Sequence, residues 1–522
     1  MSDVRRTRLV VEDGTVGDRL ATTIVGLGLA VFVASWTTLF QWVGEETTLF
    51  GVSLFDALGL CLLAMGAGIL AQGAASRYGV LPTDPVDTAG LFPGTLFGGV
   101  GVVVGALVAS QTLGLGPVGW VGGALALGAA FAAATVLPRE DVGSTIPAGA
   151  FLLFAGAVVV SGLLDAGWTW SPENLSVTLV GSVVVPVLAI VAALVGSWSA
   201  AKARAGFGAR GRQQGAFLLV SMSVFGMLAV LGLLVAFIVV NGIETVLTGA
   251  NVGNLEIPFL TNVASSLFVE VPGVLPAIVG TVWLVFIAVV FAVPLGVGAA
   301  VFLTEYAEKG RFTQLVEVAT NGLWSTPSIV FGLFGLAFVL PRVSNGTKSL
   351  LGGGIVLGFM LLPLVVITSR ESIKAVPDEY RDASAALGVS QWQTVRSVVL
   401  PAAMPGVITG IILGVGRIAG ETAPLLLTFG GQPFPSRTPD VLGSFEFTST
   451  PPFVTNPVLL DRGSALPYQL YTSITAGHVP GDAFTTAEFG WGVALVLLVV
   501  VLGMYAIGIG SRFYFRRKLH NE

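Results

Sequence analysis

Two residues of opposite charge stand close together in one of the most apolar segments of the sequence. Arg417 and Glu421 lie in a run of glycine and aliphatic residues that stops at Pro424. Their four-residue spacing would place both side chains on one face of a helix, where they can neutralise each other. An ionisable group at the centre of a bilayer costs at least ~2.5–3.5 kcal/mol and is a functional candidate by default. The arginine fork matches two oxygens of a tetrahedral oxyanion, so this pair predicts an anion site.

The carboxylate restricts which anion such a site would accept. Glu421 can accept a hydrogen bond from the protonated oxygen of hydrogen phosphate, whereas fully deprotonated sulfate would only be repelled. Thr422 follows directly and belongs to the same predicted site. The alternative is a buried ion pair whose only role is to fix helix packing.

A second apolar segment contains hydroxyl side chains that could line a polar path. Ser325, Thr326 and Ser328 lie at the start of a predicted membrane span near 321–341. Hydroxyls in membrane helices also form hydrogen bonds between neighbouring helices, so both roles stay open for these three residues.

A polar connection further along the chain predicts two short helices. Asp378 is placed to cap the first, and Gly388 to end it. Ser390 and Gln393 have the spacing of a capping box at the start of the second, and Pro401 is expected to end that helix. Small residues on the first helix would let another surface approach closely. The alternative is an amphipathic helix that lies on the lipid.

The composition of the whole chain requires a membrane around these segments. The 522 residues are 54% hydrophobic and only 11% charged, with a mean hydropathy of +0.87, whereas soluble domains carry roughly 25% charged residues. One cysteine, Cys61, and two histidines, His478 and His520, exclude a disulfide framework and the common zinc and haem sites. We therefore expect no metal and no cofactor. A formal charge of −5 argues against a nucleic-acid partner.

About twelve segments are long and apolar enough to cross a bilayer of roughly 30 Å. They lie near 20–43, 54–76, 91–111, 118–137, 147–164, 176–198, 216–240, 274–303, 321–341, 350–369, 403–428 and 490–511.

The basic residues orient these spans. With a cytoplasmic N-terminus and twelve crossings, twenty of the 25 Lys and Arg residues fall on the cytoplasmic side. Only Arg342, Lys348, Arg437 and Arg462 fall outside. This asymmetry follows the positive-inside rule. It predicts a multi-pass plasma-membrane protein with both termini in the cytoplasm.

The spans form two groups of six. The basic, glycine-rich stretch 202–214 is typical of a linker, so we predict an N-terminal membrane domain of unassigned role at 1–205 and a second domain at 206–522. The second domain contains the cytoplasmic connection, about 370–402. It also contains a long external connection, about 430–488, which is either functional or a variable insertion.

The cytoplasmic connection resembles the EAA loop of ABC-importer permeases, with the consensus E-A-A-x₃-G-x₉-I-x-L-P. The spacing is kept throughout, with Asp for Glu, Ser for the second Ala and Val for Ile. The resemblance implies that this loop docks into the ATP-hydrolysing subunit and transmits its motion. The coupling residues that it implies are Asp382, Ala383, Ser384, Ala385, Gly388, Leu400 and Pro401.

Two membrane segments are similar to phosphate-specific ABC permeases of the PstA type. They are Arg417-x₃-Glu421-Thr-Ala-Pro-Leu-Leu and Ser325-Thr-Pro-Ser-Ile-Val-Phe-Gly-Leu-Phe-Gly335, and the resemblance covers roughly 215–518. It implies an all-α polytopic protein with a type I ABC-importer permease fold in its C-terminal half. It also implies three kinds of protein partner: a dimer of P-loop ATPase subunits, a second, PstC-like permease subunit and an extracellular phosphate-binding protein. Membrane lipid surrounds the chain.

The sequence has no ATPase motif of its own. None of its lysines follows a glycine, as G-x₄-G-K-[ST] requires, so energy would have to come from a partner and the chain is not expected to be an enzyme. Two alternatives remain at this point. One is an importer permease for another oxyanion, such as sulfate or molybdate. The other is a secondary anion transporter that works without an ATPase.

Overall fold

The computed structural model describes nine stretches of the chain. They are residues 16–44, 47–49, 51–171, 177–251, 253–254, 256–264, 270–308, 310–451 and 453–521. Four basic residues used in the charge argument, Arg5, Arg6, Arg8 and Lys309, lie outside the described residues.

The described residues confirm the all-α, polytopic fold. Eleven of their helices are long and apolar enough to span a membrane, and a bent helix pair makes a twelfth candidate. The strands found in the described part of the chain are two residues long and form three antiparallel hairpins, β1–β2, β3–β4 and β5–β6. Their bounds are Thr48–Leu49, Val52–Ser53, Thr169–Trp170, Leu179–Val180, Glu446–Phe447 and Val454–Thr455.

The chain divides into two compact units, Met1–Leu234 and Val235–Glu522. The division falls inside a single long helix rather than at the predicted boundary between residues 205 and 206. The expected linker, 202–214, is mostly helical, and only residues 205–207 separate the two helices that meet there. Arg and Gln are good helix formers, so a polar composition did not imply an extended segment.

The first unit is built from six helices and the start of a seventh. They are α1 (Val16–Leu39), α2 (Leu54–Arg77), α3 (Leu91–Leu107), α4 (Pro117–Val136), α5 (Glu140–Val160), α6 (Gly181–Arg204) and α7 (Gly208–Leu247), with a π-helical turn at Val108–Thr112. The main contacts are nested, because α1 packs on α6, α2 on α5 and α3 on α4. Helix α5 begins seven residues before the predicted span 147–164, because its first residues, Glu140 and Asp141, are charged but buried.

Glycines bring the backbones of paired helices into direct contact. A Cβ on Gly66 of α2 would lie 3.0 Å from the carbonyl oxygen of Gly149 in α5. About two turns further along α5, a Cβ on Gly156 would lie 2.7 Å from the carbonyl oxygen of Gly59 in α2. Such contacts are typical of membrane helices, where close van der Waals packing replaces the hydrophobic effect as the source of association.

The second unit contains the rest of α7 and thirteen further helical segments. They are α8 (Pro258–Thr261), α9 (Leu275–Val301), α10 (Arg311–Ser325), α11 (Ser328–Phe334), α12 (Leu340–Val343), α13 (Leu350–Lys374), α14 (Asp378–Ala386), α15 (Gln391–Thr394), α16 (Leu400–Ala419), α17 (Ala423–Thr428), α18 (Pro457–Leu460), α19 (Leu466–Ala476) and α20 (Thr486–Asn521). Three π-helical turns, Phe302–Tyr306, Gly335–Val339 and Val395–Val399, extend or join them. Helix α13 lies at the centre and packs on α9 and α16, and α16 also packs on α20.

Two predicted spans of this unit are broken. The span predicted at 321–341 is the pair Arg311–Ser325 and Ser328–Val343, which meet at 104°. The span predicted at 403–428 ends as a helix at Ala419 and resumes at Ala423. Each break precedes or contains a proline, Pro327 or Pro424. Proline disfavours helical geometry in the residue before it and removes one backbone donor.

One helix continues where an end was predicted, so that prediction is wrong. The helix expected to stop at Pro401 continues from Gln391 to Ala419 as one span-length segment. The π-helical turn Val395–Val399 accommodates the proline, which then lies in the first turn of α16. Because the helical segment is continuous there, Pro401 removes one backbone donor from it, and the π-helical turn lies directly before the proline.

Candidate functional site

Arg417 and Glu421 are brought together, but at a helix break rather than within a continuous helix. Arg417 lies in the last turn of α16, and Glu421 follows the end of that helix. The Nε of Arg417 is 3.8 Å from Oε1 of Glu421, and the two side chains are 38% and 18% exposed. That separation is an ion contact too long for a hydrogen bond. The Arg417 guanidinium donates no hydrogen bond to any described residue. Two of its N–H groups are therefore available to donate to two oxygens of an oxyanion.

A tryptophan that sequence reasoning missed completes the surroundings of this arginine. The Cζ of Arg417 lies 4.2 Å from the ring centroid of Trp324, a cation–π contact. Trp324 belongs to the last turn of α10, directly before the bend. The contact with the ring does not use the N–H donors of the guanidinium in a conventional hydrogen bond. A tryptophan immediately before Ser325-Thr326-Pro327 was the only local signal.

Of the predicted hydroxyl residues, Ser325, Thr326 and Ser328 lie at the bend between α10 and α11, and Thr422 lies at the break between α16 and α17. Ser325 and Thr326 each donate to the carbonyl oxygen of Gly322, at 2.9 Å, and so terminate their own helix. Ser328 begins α11 and Thr422 precedes α17, and neither hydroxyl has a hydrogen bond to another described residue. Ser328 and Thr422 are therefore freer to meet a ligand than Ser325 and Thr326.

The two half-helices that follow the breaks pack on each other. A Cβ on Gly332 of α11 would lie 2.9 Å from the Cα of Pro424 in α17. On the other side of the site, a Cβ on Gly416 would lie 1.9 Å from the hydroxyl oxygen of Tyr505 in α20. Glycine is required at both positions because backbone or side-chain atoms already fill the space that a Cβ would need. These contacts fix the position of the α16 end that carries Arg417.

Helix α13 shows how deep the pair lies. Gly414 contacts Leu361, and Gly410 contacts Thr368, so α13 and α16 run antiparallel. Arg417 is three residues beyond Gly414, which puts it about 12 Å along the axis from the first residue of α13, at 1.5 Å per residue. The arginine thus lies well inside the length of a span.

The connection that is predicted to be cytoplasmic forms the two predicted helices, but one capping residue was assigned wrongly. Ser390 and Gln393 make the expected capping box. Gly388 has a φ of +71°, a left-handed conformation that suits glycine, and its N–H donates to the carbonyl of Ala385 at 3.0 Å. Asp378 does not cap α14. It is the first helical residue, and its carboxylate accepts from Arg381 Nη1 at 3.1 Å.

Arg381 anchors α14 to a membrane helix. Its Nη2 and Nε donate to the two carboxylate oxygens of Glu305, at 2.8 and 3.3 Å. Glu305 lies in the π-helical turn that extends α9. Arg381 also donates to the carbonyls of Val376 and Ile373 at the end of α13. The hydrogen bond that Arg381 donates to Glu305 raises the pKa of Arg381 above its ordinary value, so the guanidinium stays charged.

The predicted coupling residues divide into an outer and an inner set. Asp382, Ala383, Ala385 and Gly388 are exposed. Ser384 is buried and donates to the carbonyl of Tyr380 at 3.0 Å, while Leu400 and Pro401 are half-buried in the next helix. The inner set therefore holds the helix pair in place and does not line its outer surface.

Two apolar side chains missed from the sequence extend that outer surface. Leu387 is 81% exposed and Trp392 is 58% exposed. Both flank Gly388 in a segment otherwise rich in charge and small residues. Large exposed apolar groups next to a flat alanine surface are typical of a protein docking site.

The predicted external side carries a second group of cations. Lys348 donates to the carbonyl oxygens of Leu426 and Gly430, at 2.6 and 2.9 Å. Burial, followed by repulsion from Arg462, lowers the pKa of Lys348. Together with Tyr468 these residues line a cavity of about 660 Å³. Lys348 thereby joins the start of α13 to the end of α17.

Comparison with protein families gives a match in the second unit. The family of binding-protein-dependent transport system inner membrane components matches residues 292–520, all of which lie in that unit. A probable ABC transporter permease of Bacillus subtilis, YqgI, is 34% identical over 288 residues, covering 55% of this chain and 90% of the relative. The chain belongs to this family.

Some relatives, and one solved structure of low similarity, have a substrate in their names. The phosphate transport system permease PstA of Xylella fastidiosa is 32% identical over 48% of this chain and 77% of its own length. PstA 1 of Mycobacterium tuberculosis is 33% identical over 47% of this chain and 72% of its own length. A chain of the inward-facing MetNI methionine ABC transporter covers 47% of this chain and 94% of its own, at 18% identity and a TM-score of 0.34.

Membership in the family makes this chain a multi-pass membrane transport component, and its composition had predicted the membrane location. The family match and the broken helices occur in the same unit. The first unit lies outside the matched residues.

Proposed function

We propose that this chain is the transmembrane permease subunit of an ATP-driven importer of inorganic phosphate. The observation that carries the proposal is the Arg417 guanidinium, which is held between Glu421 and Trp324 at a helix break and forms no hydrogen bond to any described residue. PstA relatives at 31–33% identity support phosphate as the cargo.

In this proposal the two sides of the site have different tasks. Arg417 pairs with two oxygens of the passing anion, and Glu421 accepts a hydrogen bond from its protonated oxygen. Ser328 and Thr422 supply further hydroxyl contacts, and Ser325 and Thr326 shape the bend. The Glu421 carboxylate selects against anions that carry no proton, which favours hydrogen phosphate over sulfate or molybdate.

The energy would come from a dimer of P-loop ATPase subunits that grips the helix pair. Asp382, Ala383, Ala385 and Gly388 form the outer face, extended by Leu387 and Trp392. Arg381 and Glu305 would pass a displacement of α14 on to α9, so that ATP binding drives alternating access at Arg417.

The remaining partners and the orientation complete the proposal. A second, PstC-like permease subunit forms the other half of the pore. An extracellular phosphate-binding protein delivers the anion to the side that carries Lys348 and Arg462. Both termini lie in the cytoplasm of a plasma-membrane protein, and the proposal assigns no role to the N-terminal unit.

The test is phosphate uptake by the reconstituted complex with substitutions at the pair. Arg417→Gln should lower the apparent affinity for phosphate about 10- to 100-fold, because a hydrogen bond to a charged group contributes about 1.5–3 kcal/mol. Glu421→Gln should lower the ratio of phosphate uptake to sulfate uptake. Arg342→Gln, which removes an exposed arginine on the predicted external side, is the matched control and should leave uptake unchanged.

Three results would contradict the proposal in different ways. Unchanged uptake in both pair variants would reduce the pair to a packing element. Faster uptake of sulfate or molybdate than of phosphate by the unaltered complex would change the cargo. Phosphate uptake by the chain without any ATPase subunit would make it a secondary transporter.

A further inference from the structure

The N-terminal unit encloses a large cavity that the transport proposal leaves unused. It measures about 740 Å³ and lies between the start of α3, the end of α6 and the first half of α7. Its walls are mostly apolar, with Phe92, Trp198, Leu219, Val220 and Val224 among the lining residues. Phe92 and Trp198 pack together at 5.9 Å between ring centroids and form one wall.

One end of this cavity is basic. Lys202 and Arg212 line it, although most of the wall is aliphatic or aromatic. Lys202 is only 1% exposed, and its Nζ lies 2.9 Å from Oε1 of the fully buried Glu140. It also donates to the hydroxyl of Ser144 at 2.8 Å. Lys202 is therefore neutralised within the protein and mainly stabilises the fold.

Arg212 is in a different position, because Glu140 is already occupied. The second carboxylate oxygen of Glu140 accepts from the backbone N–H groups of Gly208 and Val86, at 2.9 and 3.2 Å. Arg212 Nε reaches Glu140 only at 3.8 Å, and its one hydrogen bond in the described structure goes to the carbonyl of Gly208 at 3.4 Å. The side chain is 48% exposed. Its two terminal nitrogens form no hydrogen bond to any described residue, and the side chain lines the cavity.

We propose that this cavity binds one anionic phospholipid, with the phosphate on Arg212 and an acyl chain along Leu219, Val220 and Val224. An arginine fork pairs with two phosphate oxygens, and basic pockets between membrane helices at a cytoplasmic surface recognise anionic headgroups. The apolar wall distinguishes a lipid from a free anion, since inorganic phosphate would gain nothing from it. The charge on Arg212 distinguishes an anionic lipid from a zwitterionic one.

The test is lipid retention by the purified full-length chain, measured by native mass spectrometry. Protein in detergent is offered equal amounts of phosphatidylglycerol and phosphatidylcholine. The unaltered chain should retain phosphatidylglycerol preferentially. Arg212→Gln should reduce that preference about fivefold, as expected for one basic residue near an anionic headgroup. Arg210→Gln removes an exposed arginine one half-turn away that does not line the cavity, and it should retain the preference.

A second pair of variants separates the acyl wall from the headgroup contact. Val220→Trp fills the cavity and should reduce retention of both lipids. Val187→Trp, at an exposed position of α6 outside the cavity, should reduce neither. Thermal unfolding of each variant establishes that it is folded.

The proposal is overturned by equal retention of the two lipids, or by Arg212→Gln behaving like Arg210→Gln. Displacement of phosphatidylglycerol by millimolar inorganic phosphate would assign the basic end to a free anion. Loss of lipid retention whenever the other transporter subunits are added would assign the groove to a protein partner. None of these measurements involves transport, so they are independent of the importer proposal.

Discussion

The guanidinium of Arg417 lies over the ring of Trp324, with 4.2 Å between Cζ and the ring centroid. The contact joins the end of α16 to the end of α10, two helices that both break at this point. The orientation of the cation thus depends on a residue 93 positions away in the sequence.

Substitution of Trp324 should therefore impair anion recognition without preventing assembly. Cation–π contacts are worth about 0.5–2 kcal/mol, so Trp324→Leu should weaken the apparent affinity for phosphate by roughly 2- to 30-fold. The apparent affinity of Trp324→Phe, which keeps a weaker aromatic face, should lie between those of the unaltered protein and Trp324→Leu. Uptake assays in proteoliposomes measure both. Equal affinity in all three proteins would mean that the ring only fills space.

Removal of the Arg381–Glu305 ion pair should weaken the coupling between the ATPase and phosphate uptake. Arg381→Gln and Glu305→Gln should each lower ATP-driven uptake severalfold while the ATPase still binds, because α14 would move without displacing α9. Since the pair acts as one unit, the double variant should be no worse than either single one. Arg396→Gln, at an exposed arginine on the same connection, is the control. Additive losses in the double variant would show that the two residues act separately.

Lys348 predicts a pH dependence of stability. Its pKa is lowered by burial and by Arg462, so below that pKa both folded and unfolded chains carry the proton and the buried charge is destabilising. As the pH rises toward the ordinary value of 10.5, the folded protein releases the proton first and its stability rises. The melting temperature of the unaltered chain should therefore rise relative to that of Lys348→Met as the pH increases toward 10.5. The exposed Lys374→Met should show no such trend.

A side chain at position 416 should disturb the packing next to the proposed anion site. Because a Cβ there would overlap the Tyr505 hydroxyl, Gly416→Ala should destabilise the protein by about 1–3 kcal/mol, as overpacking does. Tyr505→Ala in the same chain should recover most of that loss. Gly298→Ala, in α9 with nothing within 4 Å of the added carbon, should be close to neutral. Thermal melts of the purified protein provide the comparison.

Local signals in the sequence predicted local structure well. The Ser390–Gln393 capping box and the Gly388 helix stop are confirmed because each depends on residues within one turn. The all-α, multi-span fold is confirmed because length and hydropathy determine it. The end of the helix near Pro424 was expected from the proline itself, whereas the bend at Pro327 carried the same local signal but was included in one continuous span on hydropathy.

Contacts between distant residues were beyond any single-sequence argument. Nothing near Arg417 points to Trp324, and nothing near Arg381 points to Glu305. Burial of charge was the other difficulty. Glu140 and Asp141 were placed in a loop because charge usually means solvent, yet both are buried and begin α5. The roles of the predicted site residues stay predictions until they are measured.

The nested pairing of the first unit has a consequence for biogenesis. Helices α3 and α4 can associate as soon as both have left the ribosome, and α5 can then pack on α2. Helix α1, by contrast, acquires its main partner, α6, only after residues 40–180 have been made. At 5–20 residues per second that delay is on the order of ten seconds. During that time the face of α1 around Phe32 and Ser35 must be held by the insertion machinery or by lipid, so α1 is where a newly made chain is most exposed to quality control.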